Sequence, residues 1–224
     1  MLPRSFYDRP TLEVARDLLG QVLVHKRRGV TTSGVIVEVE AYIGEADPAC
    51  HAAPGPTRRN QPLYGPPGHA YVYLNYGVHC LVNVVTEALG SPAAVLIRAL
   101  EPVDGVDIMR RRRTRGRSGV GLGRLESHDL CRGPGNLTQA MGITLAENRL
   151  DLLSSRLRIE DHGVRVGAIA WGPRIGIRVG TDYPWRAHVA NHPAVSGPRP
   201  REVQRTRPTY PGRALRRYCT LIEK

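Results

Sequence analysis

Hydrophobic residues first recur at helical spacing. Pro10 and Thr11, followed by Leu12, Ala15, Leu18 and Leu19, predict a short amphipathic helix ended by Gly20. A period of two then takes over. Residues 21–25 make a short strand candidate, and 34–42 make a clearer one. Strict alternation there puts Val35, Val37, Val39 and Ala41 on one face and Ile36, Glu38, Glu40 and Tyr42 on the other. Residues 44–68 are a long connection rich in proline and glycine that carries Arg58 and Arg59. Loops of that length in compact domains are functional or disordered. Residues 71–75 and 78–86 alternate like the arms of a hairpin around Asn75-Tyr76-Gly77. Asn and Gly suit a turn, but nothing in turn chemistry asks for a bulky Tyr76 between them.

Further along, 93–100 reads as a buried strand with one charge, Arg98, and 103–113 as a helix ending in four arginines. A basic, glycine-rich stretch runs on to Gly123. Gly133-Pro134-Gly135-Asn136 opens a short helix through Met141, and 157–160, 164–171 and 175–179 resemble strands. Strands outnumber helices and do not alternate with them regularly. The fold class expected is therefore α+β, a single β-rich domain over residues 1–197 with an antiparallel or mixed sheet, not a doubly wound α/β fold. Proline and arginine dominate 198–224, which reads as a solvated C-terminal extension.

Charge sharpens the picture. The chain of 224 residues carries a net charge of +12 and a pI near 10.2, which favours an anionic partner, nucleic acid before an acidic membrane surface. All but two of its 32 cationic side chains are arginine, the exceptions being Lys26 and Lys224. Guanidinium suits phosphate through its planar fork, while Schiff-base chemistry has few amines to draw on. The four cysteines form no C-x-x-C pair, and neither Cys50-His51 nor His79-Cys80 has zinc-ligand spacing, so reduced thiols, no metal and no cofactor are expected. No apolar leader or membrane-length run is present in the sequence, pointing to a cytoplasmic, nucleoid-associated protein without membrane contact.

Glu38 and Glu40 share one side of a predicted strand. Two such glutamates commonly face water. Arg98, however, sits in an apolar strand, where an unpaired guanidinium would be costly. A carboxylate is expected beside it, and Glu40 is a plausible one.

These residues belong to an ordered set. Val37-Glu38-Val39-Glu40-Ala41-Tyr42, Ala49-Cys50-His51 and Gly65-Pro66-Pro67-Gly68-His69-Ala70-Tyr71-Val72-Tyr73 are followed by Tyr76-Gly77, Asn83 and Leu96-Ile97-Arg98-Ala99-Leu100-Glu101-Pro102. Weaker matches run through Gly133-Pro134 with Leu137, and Arg174-Ile175-Gly176-Ile177, to Pro193-Ala194-Val195-Ser196. In this order and spacing the chain resembles the alkyladenine (3-methyladenine) DNA glycosylase family over roughly residues 5–197. The resemblance implies a curved, open-barrel-like sheet flanked by short helices, with a protruding hairpin that enters DNA. It also implies a monofunctional enzyme of base excision repair, acting as a monomer on double-stranded DNA. Such an enzyme flips an alkylated or deaminated purine, such as hypoxanthine, and hydrolyses its N-glycosidic bond with water.

By the same resemblance Glu40 is the catalytic acid residue, Arg98 its partner in holding the water, and Ile175 a main-chain carbonyl that positions the water. Tyr42, His51, Tyr73 and Asn83 form the base pocket, and Tyr76 fills the gap left by the flipped nucleotide. Arg58, Arg59, Gly135 and Asn136 are candidate phosphate contacts. Glu38 receives no catalytic role, Tyr71 is expected to pack, and His79 is unassigned. Two departures stand out: Ala187 and His188 occupy positions usually aromatic in the family, and Asn136 replaces a common lysine. The rivals are a non-catalytic damaged-DNA binder on the same fold, a zinc deaminase, whose signature is absent, and a helix-hairpin-helix glycosylase, whose helical architecture conflicts with the strand patterns.

Overall fold

The computed structural model describes residues 1–115 and 125–197. Its organising element is a long strand, β2 (Val30–Ile43), which runs through the middle of an eight-stranded antiparallel sheet. β1 (Val22–Arg27) turns into β2 through Arg28 and Gly29, both at positive φ, as a tight two-residue hairpin requires. β5 (Ala93–Pro102) lies along the other edge of β2, followed by β4 (His79–Val85) and β3 (Ala70–Asn75). β6 (Leu157–Glu160) extends the sheet beyond β1. A second hairpin, β7 (Ile169–Gly172) with β8 (Arg186–Val189), joins β2 at Glu38–Glu40. One strand thus exchanges neighbours part-way along its length, and the sheet curls into a half-barrel. The fold is α+β, as the strand-rich pattern predicted.

The helices are short: α1 (Arg4–Tyr7), α2 (Thr11–Leu18), α3 (Val106–Thr114), α4 (Ser127–Leu130) and α5 (Pro134–Met141). Leu12, Val14, Ala15 and Leu18 of α2 and Leu137, Ala140 and Met141 of α5 are buried in the main core with Leu23, Ile36, Val72 and Ile97. Most of the arginine run in α3 faces inward. Arg112 donates to the Ala140 carbonyl at 2.9 Å and Arg113 to the Asp129 carbonyl at 3.2 Å. They meet carbonyls at helix C-termini, where cations are favoured. The rest of that basic stretch, and the 198–224 extension, lie outside the described residues. Among the described residues no helix is long and apolar enough to cross a membrane.

The simple alternation expected along 34–42 fails at one point. The register of β2 against β5 shifts on both sides of Glu38. Val35 and Val37 pack in a small cluster with Val24, Ala99 and Val195, whereas Ile36, Val39, Ala41 and Ile43 belong to the main core. An extra residue in a bulge inverts every position beyond it. The four residues predicted to share a face are therefore split between two cores. Glu38, Glu40 and Tyr42 end on the side of the smaller cluster.

Other boundaries moved as well. The strand expected over 164–171 is confined to β7, and 175–179 is irregular chain with Gly176 at φ +79°, which a strand does not accommodate. β8 and α1 were not anticipated.

Candidate active site

The bulge delivers Glu38 and Glu40 to the interior, and both are fully buried. Glu40 is the buried acid that Arg98 called for, and Glu38 is buried with it, because the chain at Ile175 and Ser196 closes over that face of β2. Arg98 of β5 bridges the pair, with Nε 3.1 Å from Glu38 Oε1 and Nη1 3.1 Å from Glu40 Oε2. Glu40 also accepts the Tyr42 hydroxyl at 3.0 Å on Oε2 and the Ile175 N–H at 2.7 Å on Oε1. The Ile175 amide thus contacts the carboxylate directly. Burial opposes the charge of Glu38, but Arg98 and Arg186 outweigh it and hold this carboxyl below its ordinary range. Burial likewise opposes Arg98, and Glu40 and Glu38 outweigh it.

Beside this cluster opens a cavity of about 400 Å³. Tyr42, His51, Tyr71, Tyr73, Asn83 and Arg98 line it, together with Ile175, Pro134 at the start of α5, and Tyr76. Glu40 lies just behind that wall, reached through three of its lining residues. The structure therefore brings all four expected pocket residues to one chamber, with Arg98 and Ile175 between chamber and carboxylate. His51 and Tyr73 pack edge to face with centroids 4.4 Å apart, and the Tyr71 hydroxyl sits 2.9 Å from His51 Nδ1. Tyr71 packs, as expected, and also fixes the histidine ring. The Asn83 amide donates to the Tyr71 carbonyl at 3.0 Å.

Burial keeps these rings uncharged near neutral pH. It lowers the His51 pKa, helped by the Arg59 cation, and raises those of Tyr42 and Tyr73. The same cause pushes Tyr71 up to about 12. The chamber's aromatic faces are thus neutral and electron-rich.

Tyr76 stands apart. It is 88% exposed at the tip of the β3–β4 hairpin, with φ +48°. The Val78 N–H donates to the Asn75 carbonyl, so Tyr76 and Gly77 (φ +70°) are the two central residues of a turn that demands positive φ at both. A bulky L-residue there is strained, and nothing in the free protein rewards it. Arg59 reaches the same hairpin, donating to the Leu74 carbonyl at 3.3 Å with its guanidinium 5.9 Å from the Tyr73 ring. Arg58 is exposed beside it.

Gly135 is held for a packing reason, since a Cβ there would come within 2.9 Å of the His79 ring. His79 thereby gains a place beside the turn of the hairpin, where it pairs with Asn75. Asn136 turns its amide back to the Arg132 carbonyl at 2.7 Å.

Sequence reasoning missed the residues that hold the site from behind. Arg186 of β8 donates to Glu38 Oε1 at 2.6 Å, and Ser196 donates its N–H to Glu38 Oε2 at 2.7 Å. Arg174 pairs with Asp47 at 2.8 Å, tying the long 44–68 connection to the chain before β8. Its guanidinium lies 4.7 Å from the Tyr42 ring centroid and 5.1 Å from that of Trp185. Ala187 is buried in the main core and His188 is buried on the Glu38 side of β8, so both departures from the resemblance are interior substitutions.

The chain also has counterparts among known proteins. Residues 5–193 match the family model described as methylpurine-DNA glycosylase (MPG). The chain belongs to the methylpurine-DNA glycosylase family. It is 49% identical over 207 residues to a protein of Methanocella arvoryzae, covering 91% of this chain and 99% of that one. A Burkholderia lata protein is 46% identical over 201 residues, covering 88% and 92%. One from Bacillus cereus strain G9842 is 46% identical over 203 residues, covering 87% and 98%. All three carry the name "Putative 3-methyladenine DNA glycosylase". Methylpurine-DNA glycosylases are DNA N-glycosylases, so the partner implied by the arginine-rich composition is DNA.

Proposed function

We propose that residues 1–197 form a monofunctional base-excision repair glycosylase that removes alkylated or deaminated purines from double-stranded DNA. The carrying observation is the Glu40 carboxylate, clamped by Arg98, Tyr42 and the Ile175 amide at the wall of an aromatic chamber.

The glycosidic bond is out of reach inside a base stack, so the nucleotide must leave it, at a cost of a few kcal/mol. Tyr76 is suited to fill the gap, since its ring is free and its turn aims it outward. The displaced purine then lies among Tyr42, His51 and Tyr73. An N-alkylated purine such as 3-methyladenine is cationic, and neutral aromatic faces attract it by about 0.5–2 kcal/mol. Hypoxanthine is neutral and would depend on shape and on hydrogen bonds from groups such as Asn83. Arg58, Arg59 and the start of α5 at Gly135 and Asn136 are the candidate contacts for flanking phosphates.

As the purine departs, positive charge develops on the sugar and water must reach the anomeric carbon. Two hydrogen bonds and the Arg98 ion pair occupy three of the four acceptor positions of the Glu40 carboxylate. The fourth, on Oε1 beside Ile175, accepts the water's proton, and the carboxylate stabilises the oxocarbenium charge. An amine nucleophile has no support, because among the described residues no lysine lines the chamber. The enzyme would act as a monomer in the cytoplasm, on nucleoid DNA.

The test is a panel of duplexes bearing 3-methyladenine, hypoxanthine or ethenoadenine, with the released base identified by mass spectrometry. Release of at least one free base is expected. Tight binding to damaged duplex without release of any base would favour the non-catalytic reading.

A further inference from the structure

We infer that Glu38 is a positioning residue for hydrolysis, setting the orientation of Arg98 and through it which acceptor position of Glu40 stays open to water; this rests on the catalytic role proposed for Glu40. Glu38 does not line the chamber and is fully buried, so it acts on no substrate directly. Its hydrogen bonds are nonetheless those of a hub. Oε1 accepts from Arg98 Nε at 3.1 Å, Arg186 Nε at 2.6 Å and the Ser196 hydroxyl at 3.0 Å, and Oε2 accepts the Ser196 N–H at 2.7 Å.

The consequence appears at Arg98. Its three guanidinium nitrogens go to three different partners: Nε to Glu38, Nη1 to Glu40 at 3.1 Å, and Nη2 to the Ser196 hydroxyl at 3.2 Å. A guanidinium free to choose would form a two-pronged pair with one carboxylate. Here Glu38 and Ser196 hold the other two nitrogens, so only one prong reaches Glu40. Glu40 keeps its second oxygen for the Ile175 amide and for water. The charges balance as well, two carboxylates against Arg98 and Arg186.

Without the Glu38 charge, Glu40 is the one carboxylate left in contact with Arg98. Arg98 would be drawn onto it with two prongs and would occupy the acceptor position kept for water. Two side chains thus divide the work of one acid: Glu40 takes the proton, and Glu38 prevents Arg98 from occupying it.

The test uses the full-length protein and whichever damaged duplex the wild type excises. Three quantities are measured for each variant: single-turnover excision rate with enzyme in excess, duplex affinity by anisotropy, and thermal stability. Glu38→Gln is expected to lower the rate about 100-fold, the scale of a misplaced catalytic group, with affinity unchanged within about two-fold. Ser196→Ala keeps the backbone N–H on Glu38 and removes only the hydroxyl, so it should fold normally. It should lose about ten-fold in rate with the same unchanged affinity.

A structural role alone would lower the folded fraction and leave the rate per folded molecule intact. The inference is overturned if Glu38→Gln excises at the wild-type rate per folded molecule while Glu40→Gln does not excise. Should Glu38→Gln fail to fold, a wild-type rate in Ser196→Ala overturns it. A wild-type protein that releases no base removes the glycosylase reading and the positioning role together.

Discussion

Tyr76→Gly separates what the fold needs from what function needs. The native φ of +48° costs a non-glycine residue about 1–2 kcal/mol, and glycine adopts it freely. Against that gain, an added glycine enlarges the unfolded ensemble by about 0.4–1 kcal/mol. The ring is 88% exposed, so little burial is lost with it. The sum lies between about zero and 1.5 kcal/mol in favour of glycine. The variant should therefore be at least as stable as wild type in urea or thermal unfolding.

Lesion binding should move the other way. Base–aromatic stacking is worth about 1–3 kcal/mol, so affinity for damaged duplex should fall about 5- to 150-fold. Fluorescence anisotropy with a lesion duplex measures this directly. Loss of more than about 1 kcal/mol of stability would show that the ring packs within the protein. Unchanged lesion affinity would remove the wedge role.

Further predictions follow from the same geometry. Arg98→Ala leaves Glu38 and Glu40 buried with one cation fewer, which should cost about 3–5 kcal/mol and lower the melting temperature by roughly 6–20 °C; a shift under about 2 °C would mean the cluster is hydrated. Burial holds His25, His51 and His188 below the ordinary value of 6.5. As pH falls through about 6.5 the unfolded chain gains protons first, so stability should drop from about pH 7.5 to 5.5. Glu38 and Glu147, where burial is outweighed by cations and hydrogen bonds, contribute to acid unfolding only below about pH 4.5. A flat melting temperature over the upper range, or no reduction of its slope in His25→Gln, would contradict this assignment. Borohydride added during turnover should trap no protein–DNA adduct, because Lys26 is exposed on β1, away from the chamber; a trapped adduct would refute water as nucleophile.

Much of this site was legible in the chain because its signals are local. Glu38, Glu40 and Tyr42 are two apart on one strand and all follow Val37, the extra residue of the bulge, so they share a side. Arg98 in an apolar run announces a buried acid, and Tyr76 between Asn75 and Gly77 announces an aromatic at a hairpin tip. The bulge was not legible, because the hydrophobic pattern around it is satisfied by two cores instead of one. Val35 and Val39 look equivalent in sequence and pack on opposite sides.

The scaffold behind the carboxylates was also hidden. Arg186 and Ser196 reach Glu38 from 148 and 158 residues away, and Arg174 reaches Asp47 from 127. No local pattern encodes such pairings. The 175–179 stretch looked like a strand by its alternating apolar residues, yet Gly176 bends it across the chamber so that the Ile175 amide meets Glu40.

The central claim is that Glu40 takes the proton from the attacking water. Glu40→Gln keeps the shape and can still bond Tyr42 and Arg98 through its carbonyl oxygen, but it cannot accept a proton. Single-turnover excision and lesion-duplex affinity, measured side by side with wild type, are decisive. The account predicts loss of base release with affinity retained. Release by Glu40→Gln at the wild-type rate would contradict it.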